Sequence, residues 1–175
     1  GGLVDGLLMR LVDVLLSVPT FFVVVILQSV VNQPGIGNVI VFIGITSWMS
    51  TSRVVRGQIL SEREKDFITA AYSIGASDKE IMIRHLLQNV FSQVIVAASL
   101  QIGAAILTEA ALSYLGFGVQ PPTASWGSML NESRRFLSTG FWMAFYPGLF
   151  LCITVLAFNF AGDGLVSALN PTKGK

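Results

Sequence analysis

The chain has 175 residues, 53% of them hydrophobic and only 12% charged. Soluble domains carry about 25% charged residues, so an ordinary water-soluble globule is excluded, and so is a disordered chain, which needs low hydrophobicity and high charge. Eleven basic residues nearly cancel ten acidic ones, and there is one cysteine (Cys152) and one histidine (His85), so neither nucleic-acid attraction, a disulfide nor a His- or Cys-based metal site is expected.

The chain opens on Gly1-Gly2 with no basic segment ahead of a short apolar core. No signal peptide is read, and the chain is expected to be a C-terminal fragment. Nothing is charged from Val14 to Ser52, but the turn-prone run Asn32-Gln33-Pro34-Gly35-Ile36-Gly37-Asn38 divides that stretch. Each side has room for one membrane helix, which takes about 20 mostly apolar residues. The expected spans are 14–31, with Pro19 loosening or kinking it, and 39–57, ending at Arg53 and Arg56. Uncharged runs up to Glu109 and Asp163 predict two more, 85–108 and 140–162. The fold class is all-α, a polytopic transmembrane bundle with four spans; too few polar residues lie between these runs to cover them as buried soluble helices.

Alternating spans put residues 53–84 and both termini on one side. That side carries Arg10, Arg53, Arg56, Arg63, Lys65, Lys79, Arg84, Lys173 and Lys175, against Arg134 and Arg135 on the other. The positive-inside rule then makes the 58–84 loop and the C-terminus cytoplasmic. Within that loop, Ser61-Glu62-Arg63-Glu64 and Ser77-Asp78-Lys79-Glu80 each fit a capping box. Phe67, Ala70, Ala71 and Ile74 recur at helical spacing, and Gly75 stands where a helix-ending glycine is expected. The pattern predicts helix, turn, helix, with an apolar face that either docks a partner or packs back on the chain's own helix ends.

Beyond the third span, Glu109 lies at a helix edge, as do Asp13 and Asp163, where a carboxylate pairs or is solvated more cheaply than at mid-span. The outer loop, 116–139, contains the run Gly118-Val119-Gln120-Pro121-Pro122, expected to be rigid and extended. Ser125 is placed to cap a short helix reaching Phe136, and Trp126 suits a membrane interface. Gly103, Ala104 and Gly162 allow close helix approach.

Thr69-Ala70-Ala71-Tyr72-Ser73-Ile74-Gly75, followed by Arg84-His85-Leu86-Leu87-Gln88-Asn89, resembles the EAA loop of permease subunits in bacterial ATP-binding-cassette importers. The surrounding text resembles the dipeptide/oligopeptide/nickel branch and its C-type permeases. It includes Met9-Arg10-Leu11-Val12-Asp13, Ser17-Val18-Pro19, Leu107-Thr108-Glu109-Ala110-Ala111-Leu112-Ser113-Tyr114-Leu115-Gly116, Gly118-Val119-Gln120-Pro121-Pro122-Thr123, Ser125-Trp126-Gly127, and Asn159 with Gly162-Asp163-Gly164-Leu165. Thr69 replaces the family glutamate, Gln88 the family proline and His85 an isoleucine.

The resemblance implies a multi-pass protein of a bacterial or archaeal plasma membrane that catalyses no reaction and needs no cofactor. Its partners would be ATP-binding-cassette ATPase subunits, a second homologous permease and an extracytoplasmic substrate-binding protein. Phe67, Thr69, Ala70, Ala71, Ile74 and Gly75 would contact the ATPase. Glu109, Gln120, Pro121, Pro122 and Trp126 would serve the outer gate or meet the binding protein. No nucleotide-binding G-x-x-x-x-G-K-[ST] occurs in the chain. The competing readings are a secondary transporter or channel, which calls for charged or broken helices at mid-membrane depth, and a membrane scaffold that carries no substrate.

Overall fold

The structure is a computed structural model that describes residues 2–31 and 35–169, and it holds only helices and their connections there. The first helix, α1, covers Leu3–Leu16, and α2 covers Thr20–Val30. Long α3, Ile36–Arg63, is followed by short α4, Asp66–Ser73. One turn, α5 (Asp78–Glu80), leads through a π-helical stretch, Ile81–Leu86, into α6, Leu87–Tyr114. After α7, Trp126–Ser133, and a 3-10 turn, Arg134–Phe136, the last described helix is α8, Trp142–Leu169.

Three helices are long and apolar enough to cross a membrane, Ile36–Arg63, the continuous Asp78–Tyr114 and Trp142–Leu165. The α1–α2 pair becomes a fourth if it is one span bent by 75°. The 14–31 segment is therefore not one helix: residues 14–16 belong to α1, and the chain breaks at Ser17–Pro19. Pro19 supplies no N–H and pushes Val18 out of helical conformation. Its own carbonyl then starts α2, accepting from Phe22 N–H at 3.0 Å. Asn32, Gln33 and Pro34 of the expected turn lie outside the described residues, as do Lys173 and Lys175; α3 already begins at Ile36.

The Ser61 capping box does not form. Helix α3 runs past it to Arg63, and Lys65, without a side-chain cap, precedes α4. Just ahead of Ser61, Ile59 packs on a core of Ile68, Ala71, Ile81 and Leu86. Glu62, itself buried, meets Lys65 at 2.5 Å. The Ser77 cap does form, its hydroxyl accepting from Glu80 N–H at 3.3 Å. The Glu80 carboxylate turns forward to Arg84 at 2.8 Å rather than back to the cap.

The chain forms two compact units, one of residues 1–49 and 101–158, the other of residues 50–100 and 159–175. In the first, Val24, Val39 and Leu112 are buried together, with Phe21, Val25, Phe42 and Ile43 around them. The Gln101 amide donates to Ser47 O at 3.3 Å, tying α6 to α3. In the second unit, Gly162 of α8 lies so close to α6 that an added Cβ would fall 2.4 Å from Ser99 Cβ. Small residues allow this approach, which packs helices where no hydrophobic effect between them is available.

Candidate functional site

Helix α4 and the turn after it form the most sharply built connection of the second unit. The helix ends in a Schellman motif: Gly75 N–H donates to Tyr72 O at 3.0 Å and Ala76 N–H to Ala71 O at 3.1 Å. This requires a left-handed residue, and Gly75 has φ +86°. The turn is braced from the other side by the Tyr72 hydroxyl, which donates to Asp78 Oδ1 at 2.9 Å. That hydrogen bond is the main reason the Tyr72 pKa is raised above its ordinary value, because losing the proton would lose the bond and set two negative charges together.

The apolar residues of α4 divide between two faces. Ile68 and Ala71 point inward and are buried at 1% and 5% exposure. Phe67, Ala70 and Ile74, spaced i, i+3 and i+7, share the outer face, and Ile74 is 86% exposed. This corrects one expectation: Ala71 closes the loop's own core and is not on the exposed face. Thr69 is exposed, its carbonyl accepting from the Ser73 hydroxyl at 2.9 Å. Phe67 also meets the His85 ring, centroids 6.5 Å apart, which ties α4 to the π-helical stretch. That stretch has no sequence signature; Asn89 donates into it, its amide reaching His85 O at 2.7 Å.

A second built segment lies in the first unit, where α6 ends. Gly116, at φ +87°, closes the helix, with Phe117 N–H donating to Leu112 O at 2.9 Å. The half-buried Glu109 accepts from the Ser113 hydroxyl at 2.6 Å, and that hydroxyl accepts from Val119 N–H at 2.9 Å. An added Cβ on Gly118 would sit 2.5 Å from Ser113 N, so only glycine allows the chain to fold back here. The expected extended run turns instead: the Pro121–Pro122 bond is cis, and Thr123 N–H donates to Gln120 O at 3.1 Å. Ser125 then caps α7 in a reciprocal box with Ser128. Asn131 donates its amide to Tyr114 O, and the Arg134 guanidinium stands 5.4 Å over the Tyr114 ring. Glu109, Gln120 and Trp126 are half-buried in this segment, and Pro121 and Pro122 are exposed. The Glu109–Ser113–Val119 relay and the role of Gly127, which lies against Ala110, were not legible as sequence signals.

Comparison with known proteins decides what these spans and their two glycine-closed connections belong to. Residues 1–175 match the family described as the inner membrane component of binding-protein-dependent transport systems. The chain belongs to this family.

It is 43% identical over 171 residues to the oligopeptide transport system permease protein OppC of Escherichia coli (strain K12), covering 98% of this chain and 56% of the relative. It is 40% identical over 172 residues to the dipeptide transport system permease protein DppC of Bacillus subtilis (strain 168), covering 98% and 53%. With the glutathione transport system permease protein GsiD of Shigella flexneri serotype 5b it shares 43% over 167 residues, covering 95% and 55%. The chain thus spans about half the length of the curated relatives it matches. As a member of the family it is a multi-pass inner-membrane component of a binding-protein-dependent transport system.

Proposed function

We propose that this chain supplies part of the translocation pathway of an ATP-driven peptide importer and couples it to separate ATPase subunits through α4. The observation that carries the reading is the outer face of α4. Phe67, Ala70 and Ile74 are exposed on a helix whose other face is fixed by its own core and whose end is fixed at Gly75. A preorganised apolar knob loses little freedom on docking, so its contact area goes into affinity and transmits force. Thr69 and Gly75 border this knob; Ala71 acts from beneath it.

In the proposed cycle, nucleotide binding closes two ATPase subunits and draws the coupling helices of this chain and a second, homologous permease together. The cavity changes from inward- to outward-facing, and an extracytoplasmic binding protein delivers the peptide. Hydrolysis on the ATPase subunits resets the assembly, and no bond is made or broken by this chain. The segment of Glu109, Gln120, Pro121, Pro122 and Trp126 is the proposed outer gate or binding-protein contact, its many internal hydrogen bonds suiting a part that moves as one body. The direct test is purification of the full-length permease in mild detergent. An ATPase and a second permease should accompany it, and a protein recovered alone, with no nucleotide-driven uptake after reconstitution, would sink the proposal.

Orientation has its own test. In a Cys152→Ser background, cysteine introduced at Lys79 should resist a membrane-impermeant thiol reagent in intact cells, and cysteine at Thr123 should react. Both positions are exposed, so the difference reports sidedness rather than burial. The reverse pattern would place α4 on the wrong side of the membrane to meet an ATPase.

A further inference from the structure

Five polar or charged side chains are buried among the described residues: Gln28, Thr46, Glu62, Ser113 and Ser133. Four are paired. The Thr46 hydroxyl donates to Phe42 O at 2.8 Å, Glu62 meets Lys65, Ser113 joins Glu109 to Val119, and the Ser133 hydroxyl donates to Leu130 O at 2.7 Å. Gln28 differs: it is 3% exposed, and neither Oε1 nor Nε2 has a hydrogen-bond partner. Leaving both ends of a buried amide unpaired is costly, and an apolar side chain of the same size would carry no such cost.

The amide is also on the inner side of its helix. Phe21, Val24, Val25 and Gln28 follow the i, i+3, i+4, i+7 spacing of one face, and the first three pack in the Val24–Val39–Leu112 cluster. The opposite stripe, Phe22, Ile26 and Val30, is 58%, 60% and 76% exposed. Gln28 therefore ends the packing stripe of α2. That helix has only 11 residues and follows the Ser17–Pro19 break, where its axis departs by 75° from α1. Broken helices at membrane depth characteristically line cavities, where their freed polar groups find partners.

We infer that Gln28 is a substrate-contacting residue of the pathway, its amide unpaired in this closed packing and paired with the peptide backbone when α2 parts from its neighbours. This rests on the peptide-permease reading above. In an extended peptide the N–H and C=O of one residue point to the same side, and a glutamine amide offers one acceptor and two donors to meet them. Nε2–H donates to the peptide carbonyl, and the peptide N–H donates to Oε1. Such a contact ignores side chains, as a path for varied peptides requires.

The test uses the complete importer, reconstituted in proteoliposomes with its full-length permease and partner subunits. ATP-driven uptake is compared for trialanine and for its analogue in which an ester oxygen replaces the central N–H. The unmodified importer should prefer the amide, and Gln28→Met, which keeps length and removes both hydrogen-bonding ends, should reduce that preference about three- to tenfold. Discrimination by the binding protein is common to both importers and cancels in the ratio. Gln28→Leu repeats the measurement should the Met variant assemble poorly. An unchanged preference, whether uptake is normal or slowed equally for both peptides, would overturn the assignment and leave Gln28 a structural or water-binding residue. Absence of a preference in the unmodified importer would overturn it as well. Failure of the unmodified importer to take up trialanine at all would be recognised as failure of the peptide-permease reading itself, and this assignment would fall with it.

Discussion

Gly75→Leu is expected to insert normally in the membrane yet abolish uptake and sharply reduce recovery of the ATPase subunit. Gly75 adopts φ +86°, so any side chain there strains the turn by about 1 kcal/mol. Steric room is not the obstacle, because a Cβ built on Gly75 meets nothing within 4 Å. A cost of that size is small against the packing of three or four spans, and folding should survive it. Docking is another matter. The open space beside Gly75 borders Ile74, and a leucine there would stand where a partner's surface must approach. Val24→Phe, which the sequence alone suggests as a lipid-side control, is not a fair one, because Val24 is fully buried against Val39 and Leu112; Phe22→Leu, on the exposed stripe of α2, should change neither uptake nor ATPase recovery. Normal uptake and normal ATPase recovery in Gly75→Leu would make the α4 loop a plain connector.

Gly127→Ala should destabilise the folded chain by about 3 kcal/mol, the upper part of the range for forcing volume into a packed site. Its Cβ would lie 2.2 Å from Ala110 O and 2.7 Å from Ala110 Cα, which are backbone atoms that cannot rotate aside. Relief therefore requires α7 to move away from α6, and with it Ser125, Ser128 and the Asn131–Tyr114 bond. Gly164→Ala is the control: nothing lies within 4 Å of its Cβ inside α8, and alanine favours a helix by roughly 1 kcal/mol over glycine. Unfolding midpoints in mixed micelles should fall for Gly127→Ala and hold or rise for Gly164→Ala. Equal midpoints would mean that α7 does not pack on Ala110 at backbone distance.

The pair of glycines also marks how far local reading reaches. Gly75 was legible because its work is done by neighbours in sequence: an apolar helix before it, a capping serine after it, and a left-handed turn that few other residues tolerate. Ser77 and Ser125 are legible for the same reason, since a cap is a bond between residues three apart. The uncharged runs likewise declare helices that suit lipid, whatever they pack against. Pro19 announced a disturbance in the first run, although not that the run would divide into α1 and α2.

Where two segments distant in the chain meet, local pattern decides nothing. Ser61 satisfies the same capping rule as Ser77, yet α3 runs through it to Arg63, with Ile59 packed on the core that Ile68, Ala71, Ile81 and Leu86 form and Glu62 buried. Ala71 shares the spacing of Phe67 and Ile74, but the choice of face is made by Ile81 and Leu86, which arrive from the next helix. Gly127 matters because Ala110, seventeen residues earlier, comes within backbone contact of it, and Gln28 because Val39 and Leu112 draw α2's inner stripe out of reach of any polar partner. Helix formation and capping are short-range and follow from the residues themselves; which face is buried, and which polar group is stranded, depends on the surfaces brought together by the rest of the chain.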